Sequence, residues 1–339
     1  MIKLTKQTIV NPNFSIVLPG ECNAKCDFCF WKRSKSESPM FVTQLSWWLN
    51  EFKQSQNPIT QISITGGEPT ISPVFDDVMG LLEEYSDVKV VLTTNGTNLG
   101  KKIATIEGII NHINISRHAV DEATNQKLFG TKHVPDVKQL TELCSGANSS
   151  NIDVTLNRVV SGNYANLQDF DDYIGLAKTV GASAVCYRKD YSDNTLNPIA
   201  LEQMLDSRKQ SFGCPVCVTN SYIYKGMRVN FKMSLEEPST AVPYIYEFVY
   251  QPDGSLTEDW AGKKKIEVQY QNAATKQQQQ KKIGKIHSQV SPGDGCYATL
   301  GSCFSYLKPK SKKSIHPSGS CGSAGGSAGG SCGGGGCGS

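Results

Sequence analysis

The sequence has no run of about eighteen apolar residues, so no membrane-crossing helix is expected. It has no marked excess of one charge either. Thirty-four Lys and Arg stand against 31 Asp and Glu, a net charge of +3. So weak a field offers no general attraction for nucleic acid or a membrane surface. The first residues, Met1-Ile-Lys-Leu-Thr-Lys-Gln7, lack the apolar stretch of a secretory signal. With no such signal, the twelve cysteines point to a reducing, cytoplasmic setting, where thiols bind metal more often than they pair. A length of 339 residues is ample for a buried core and suits about two domains.

What the sequence does have begins with Cys22-Asn-Ala-Lys-Cys26-Asp-Phe-Cys29. The apolar run Phe14 to Leu18 before it reads as a strand, which puts the cysteines on the loop leaving its C-terminal end. Thiolates hold iron–sulfur clusters, and a four-iron cluster takes four ligands. Three local cysteines leave one iron open, as a substrate-activating site requires. Two plainer readings stand beside this one, a zinc knuckle and a set of buried thiols. Zinc favours paired C-x-x-C units, and no second pair lies close by in sequence.

This spacing, followed by Gly66-Gly67-Glu68-Pro69, resembles the radical S-adenosylmethionine (radical SAM) enzymes. The resemblance covers roughly residues 10 to 190, and more loosely residues up to about 260. It implies a [4Fe-4S] cluster on Cys22, Cys26 and Cys29, whose free iron chelates S-adenosylmethionine. It implies that Phe28 packs near the adenine and that Gly66, Gly67, Glu68 and Pro69 serve the methionyl amino group. By the same resemblance, Ser116 and Asn157 touch the ribose or carboxylate, Arg188 contacts the carboxylate, and Asn95 faces the same pocket. Each polar residue also has a simpler reading as a strand-end or turn residue. The implied chemistry is reductive cleavage to a 5′-deoxyadenosyl radical, which abstracts hydrogen from a substrate.

The chain alternates strand and helix. Strands are expected at Phe14–Leu18, Gln61–Thr65, Val88–Asn95, His112–Ser116, Ile152–Val160 and Ser183–Arg188. Helices are expected at Thr43–Gln54, Phe75–Tyr85, Ile103–Ile110, Val137–Cys144 and Leu167–Val180. This α/β rhythm gives a parallel sheet with right-handed crossovers, a partial (β/α)6 barrel. It is also the fold of the family resembled. Several strands are polar on one face. Ser63 and Thr65 alternate with Ile62 and Ile64; His112, Asn114 and Ser116 with Ile113 and Ile115; Asp153, Thr155 and Asn157 with Ile152, Val154 and Leu156. The apolar set should face the helices and the polar set a lumen that binds something. The alternative is a sheet with one face in water. Cys186 falls on the lumen side, as a small buried thiol or facing the substrate, and Cys144 in the core.

Residues 1–195 are therefore expected to be the barrel, 196–261 an extension with β-hairpins, and 262–339 a polar linker and tail. The hairpins span Tyr222–Met233 and Tyr244–Trp260, the second turning at Pro252-Asp253-Gly254. Cys214 and Cys217 would serve an auxiliary cluster, zinc, a redox pair or structure alone. The glycine-rich tail carries Cys321, Cys332 and Cys337, has no core-forming residue after Ile315, and is expected to be disordered. It reads as a plain linker, as a substrate in cis for thioether crosslinking, or as a source of metal ligands. The branch resembled contains the molybdopterin-pathway GTP cyclase and the peptide maturases. A peptide or a small nucleotide-type molecule is the expected substrate, and a reductase or flavodoxin-type protein the expected electron donor. A non-catalytic iron–sulfur protein is the reading from another class.

Overall fold

The computed structural model describes residues 8–29, 37–55, 58–160, 167–190, 212–214, 219–232, 244–263 and 265–266. Six strands alternate with helices: β1 (Thr8–Leu18), β2 (Gln61–Gly66), β3 (Lys89–Thr94), β4 (His112–Ser116), β5 (Asp153–Val160) and β6 (Ala184–Lys189). The helices are α1 (Phe41–Lys53), α2 (Phe75–Leu82), α3 (Ile103–Ile106), α4 (Glu122–Phe129), α5 (Val137–Ser149) and α6 (Leu167–Thr179). All six strands run parallel in chain order. Five of these helices match the periodic stretches of the sequence. The sixth, α4, buries only Asn125 and Phe129 and has no broad apolar stripe to find. Its ends fix it instead. Asp121 accepts from the Thr124 N–H, and Gly130 closes the helix in the left-handed conformation at φ +63°.

Beyond β6 lie β7 (Phe212–Cys214), β8 (Thr219–Tyr224), β9 (Met227–Lys232), β10 (Tyr244–Tyr250) and β11 (Leu256–Thr257). Both expected hairpins are present. Strands β8 and β9 meet at Lys225-Gly226, where both residues have positive φ, the geometry of a two-residue hairpin turn. Strands β10 and β11 pair across Pro252-Asp253-Gly254. Each hairpin lends one strand to the barrel sheet. β9 pairs parallel to β6, and β10 pairs parallel to β1. The sheet order is β11-β10-β1-β2-β3-β4-β5-β6-β9-β8-β7, eight consecutive parallel strands flanked by antiparallel edges. β9 and β10 do not pair among the described residues, so the barrel stays open.

The core lies between sheet and helices. Ile62, Ile64, Ile113, Ile115, Val154 and Leu156 join Leu45, Leu49 and Phe52 of α1, Val78 and Met79 of α2, and Phe170 and Ile174 of α6 in one apolar cluster. Side chains alternate along a strand, so Ser63, Asn114, Thr155 and Asn157 take the other face, the concave one. That face is polar, as the alternation predicted, and it is buried. Cys144 is in the core as expected. Cys186 departs from expectation: it is buried, but it is disulfide-bonded and not a free thiol. Among the described residues no helix is long and apolar enough to cross a membrane. Cys217, the side chain of Cys214 and the glycine-rich tail lie outside the described residues.

Candidate cluster and cofactor site

The loop that follows β1 crosses the C-terminal ends of neighbouring elements in turn, and the residues around its cysteines are tied down. The Glu21 carbonyl accepts the Glu68 N–H at 3.2 Å, at the end of β2. The Asn23 side chain accepts from Asn95 Nδ2 and donates to Thr97 Oγ1, both at 2.7 Å, beyond β3. The Lys25 N–H donates to the Phe129 carbonyl at 2.7 Å, at the end of α4. Phe28 sets its ring edge-on to His118, 4.7 Å between centroids, beyond β4. Cys22 and Cys26 fall between these ties and Cys29 just after them. Cys22 and Cys26 are half-buried and Cys29 is exposed, and none of the three is in a disulfide.

The two glycines of the Gly-Gly-Glu-Pro run exist because backbone passes backbone here. A Cβ on Gly67 would lie 2.7 Å from the Glu21 carbonyl oxygen and 2.9 Å from the Cys22 nitrogen. A Cβ on Gly66, at φ +148°, would lie 2.8 Å from the Leu18 carbonyl oxygen. Glu68 is buried, and its carboxylate takes four hydrogen bonds. Oε1 accepts from the Thr70 N–H, Thr70 Oγ1 and Thr94 Oγ1, and Oε2 accepts from the Asn95 N–H at 2.7 Å. Burial raises the Glu68 pKa, and these donors pull against that rise. The side chain is therefore committed to joining β2 to β3. Asn95 is similarly engaged: its Oδ1 accepts from the Thr97 N–H and hydroxyl, and its amide holds Asn23.

Ser116 ends β4 in register with Asn157 on β5, which is in register with Cys186 on β6. Asn157 is 3% exposed and its Oδ1 has no hydrogen-bond partner. Arg188 follows two residues after Cys186 on the same strand. The sequence reading missed Asn23, Lys25 and His118. His118 is buried between the rings of Phe28 and Phe129, and its Nδ1 accepts from the Val159 N–H. Burial first, then the charges of Arg158, Arg117 and Arg188, push its pKa down to about 3. A neutral ring that accepts at Nδ1 carries its proton on Nε2. The only advance signal was its place two residues past a polar strand end.

The donor set suits a cluster. Three thiols stand on one short loop, near enough that Cys29 and Cys22 as anions raise the pKa of Cys26, and Cys29 that of Cys22. Burial first, then Cys29 and Cys22, push Cys26 up to about 12. Burial likewise raises Cys22, with Glu68 and Cys29 adding to it. A cationic iron centre among them would turn that repulsion into ligation. No His, Cys, Asp or Glu group of three or more is gathered for a single metal ion among the described residues.

Residues 16–177 match the family model of the radical SAM superfamily. They form a radical SAM domain. The superfamily uses a [4Fe-4S] cluster and S-adenosylmethionine. The domain is similar in sequence to a GTP 3′,8-cyclase of Shewanella denitrificans, 31% identical over 121 residues, covering 34% of this chain and 35% of that one. It is also similar to an S-adenosylmethionine-dependent nucleotide dehydratase of a Thermoplasmatales archaeon, 24% identical over 149 residues, 43% of this chain and 51% of that one. The match spans only a third to a half of these relatives. In fold, the chain is similar to SuiB of Streptococcus suis, with a TM-score of 0.52 and 14% identity over 77% of this chain and 63% of that one.

Proposed function

We propose that the protein is a radical SAM enzyme whose cluster is held by Cys22, Cys26 and Cys29. The observation that carries this is the alternation on the loop after β1. Glu21, Asn23, Lys25 and Phe28 are fixed by four neighbouring elements, which leaves the interleaved sulfurs to ligate. S-adenosylmethionine bound there supplies, on one-electron reduction, a 5′-deoxyadenosyl radical that takes hydrogen from a substrate.

The protein's part is to bind, orient and exclude water. Gly66 and Gly67 bring bare backbone to the methionyl amino group; a side chain at Gly67 would displace the cluster loop, and one at Gly66 would meet the end of β1 at Leu18. Pro69 opens a short 3-10 turn that aims Glu68 inward. Glu68 and Asn95 also brace the site through Thr94, Asn23 and Thr97. Phe28, held by His118, presents a face to the adenine. Ser116 and Asn157 offer hydroxyl and amide to the ribose or carboxylate, and Arg188 offers charge to the carboxylate. A reductase or flavodoxin-type protein supplies the electron.

The leading substrate is a peptide, in cis or in trans, supported by the cysteines set among Gly, Ala and Ser in residues 318–339. The second reading, a nucleotide, is favoured by the names of the sequence relatives, a GTP cyclase and a nucleotide dehydratase. The deciding experiment incubates anaerobically reconstituted protein with S-adenosylmethionine and dithionite. Formation of 5′-deoxyadenosine that disappears in the Cys22→Ala, Cys26→Ala, Cys29→Ala triple variant is expected. A mononuclear zinc on those cysteines would overturn the assignment. A loss of about 2 Da per crosslink in the tail that reductant does not reverse would mark the chain as its own substrate, since an ordinary disulfide gives the same loss reversibly.

A further inference from the structure

We propose, resting on the reading of Phe28 as the adenine's neighbour in a radical SAM site, that α4 is the element that aims the Phe28 ring. Asn125 and Phe129 are its positioning residues, and both act through His118. α4 has eight residues and buries two side chains, Asn125 and Phe129, spaced i to i+4 and so on one face. Both serve one residue. Asn125 Oδ1 accepts from the His118 N–H at 2.9 Å and from the Ala119 N–H at 3.3 Å. The Phe129 ring lies against the His118 ring, with 4.6 Å between centroids and a tilt of 35°. Phe28 meets the same imidazole at 4.7 Å and 75°. The fourth hold comes from β5, where the Val159 N–H donates to His118 Nδ1 at 3.2 Å.

A helix held only for its packing would bury apolar side chains. Asn is a weak helix former, and burying its amide is costly unless the amide is bonded. Asn125 Nδ2 is buried with no hydrogen-bond partner, so only the oxygen is used, and it is used on the backbone of His118 and its successor. Asn125, Phe129 and His118 are all buried, which leaves the imidazole little room to turn. Phe28 is half-buried and takes its orientation from that imidazole. α4 reaches the cluster loop by a second route, the Lys25 N–H bonded to the Phe129 carbonyl at 2.7 Å. Close passage of Gly130 along Lys25 supports it, since a Cβ on Gly130 would lie 2.8 Å from the Lys25 carbonyl oxygen. This route is backbone to backbone and survives a side-chain change at Asn125 or Phe129. The two routes therefore separate: the backbone tie places the cluster loop, and the side chains of α4 aim the ring beside the adenine.

A double-mutant cycle on cofactor affinity tests the chain of contacts. Asn125→Leu removes the acceptor, Asn125→Asp keeps an acceptor oxygen, and Phe28→Leu removes the ring at the far end. S-adenosylmethionine is titrated by calorimetry into anaerobic, cluster-loaded protein. Asn125→Leu and Phe28→Leu should each bind it about three- to tenfold more weakly, the worth of an aromatic contact. The double variant should bind it no more weakly than Phe28→Leu alone, and Asn125→Asp should restore affinity. Iron per chain should match wild type in Asn125→Leu, because the backbone tie to Lys25 remains. If Asn125→Leu does not fold, Phe129→Leu takes its place in the cycle, since it removes the ring behind His118 and leaves the Asn125 bonds standing. Effects that multiply in the double variant, unchanged affinity in the single α4 variant, iron lost in step with affinity, or Asn125→Asp as weak as Asn125→Leu overturns the role given to α4. Wild type that binds no S-adenosylmethionine overturns the enzyme reading and this role together, whereas wild type that binds it without coupling between Asn125 and Phe28 overturns this role alone.

Discussion

Gly67 shows how little freedom single residues have at this site. A methyl there would sit 2.7 Å from the Glu21 carbonyl oxygen and 2.8 Å from its carbon, and neither atom can swing away as a side-chain tip could. The loop carrying Cys22 must move instead. Gly67→Ala is expected to cost about 1–3 kcal/mol, as overpacking does, and to leave less than about half the wild-type iron after reconstitution. Iron and sulfide per chain and a urea melt would measure the two effects. His118 has a pH signature. Its folded pKa is depressed to about 3 against an ordinary value of 6.5. Below pH 6.5 the unfolded chain takes up a proton that the folded chain refuses, so stability falls as pH drops, by about 1.4 kcal/mol per unit, until the folded ring protonates near 3. His118→Phe cannot charge but strands the Val159 N–H. It should be less stable than wild type by about 1–2 kcal/mol at pH 7.5 and should lose that deficit near pH 5. Denaturant midpoints at the two values check it; a constant gap across that range would contradict the assignment.

The element that matters most is the loop after β1, which works as a row of ties and ligands in alternation. Asn23 is the tie with most to lose, since it bridges Asn95 and Thr97 through two hydrogen bonds of 2.7 Å. Asn23→Ala should leave the barrel folded, lowering stability by about 1–2 kcal/mol, because the partners Asn95 and Thr97 still bond each other. Iron release to a chelator should become several-fold faster, read from the decay of the cluster absorbance. The cysteine spacing was legible in the sequence because ligation needs those residue types at those intervals. The ties were not, because the partners of Asn23 and Lys25 lie 72 to 104 positions away and nothing local marks them. The same contrast separates the helices. α1 is written in the spacing of Phe41, Leu45, Trp48, Leu49 and Phe52, all buried. α4 depends on its caps, and a cap without an apolar stripe reads as a turn. Glu68 was legible as part of a motif, but two of its four hydrogen bonds, from Thr94 and Asn95, require the end of β3 to be in place.

Across the whole molecule, the six central strands follow from alternation, whereas the two outer parallel strands follow only from packing. β10 reads in sequence as one arm of a hairpin, which it is. Its other edge docks beside β1, and that pairing is set by contacts some 230 positions apart. On the lumen side, Asn13 Nδ2 and Ser15 Oγ donate to Glu247 Oε1 at 3.1 and 2.8 Å. On the helix side, Phe248 packs on Phe52 with 4.9 Å between centroids, and Tyr250 Oη donates to the Phe41 carbonyl at 2.8 Å. Apolar burial and hydrogen bonding thus hold the same strand from both faces, and the apolar side should dominate. Phe248 is completely buried, so Phe248→Ala should cost about 3–5 kcal/mol through lost transfer and a residual cavity. Tyr250→Phe keeps the ring and loses one hydrogen bond, so it should cost about 1 kcal/mol. Because β10 adjoins β1, whose C-terminal end launches the cysteine loop, Phe248→Ala should also shed iron in proportion to its loss of stability. Urea unfolding followed at once by circular dichroism and cluster absorbance tests the coupling. Coincident transitions in wild type and both variants are expected, and a cluster signal lost well before the secondary structure would show that β10 does not support the site.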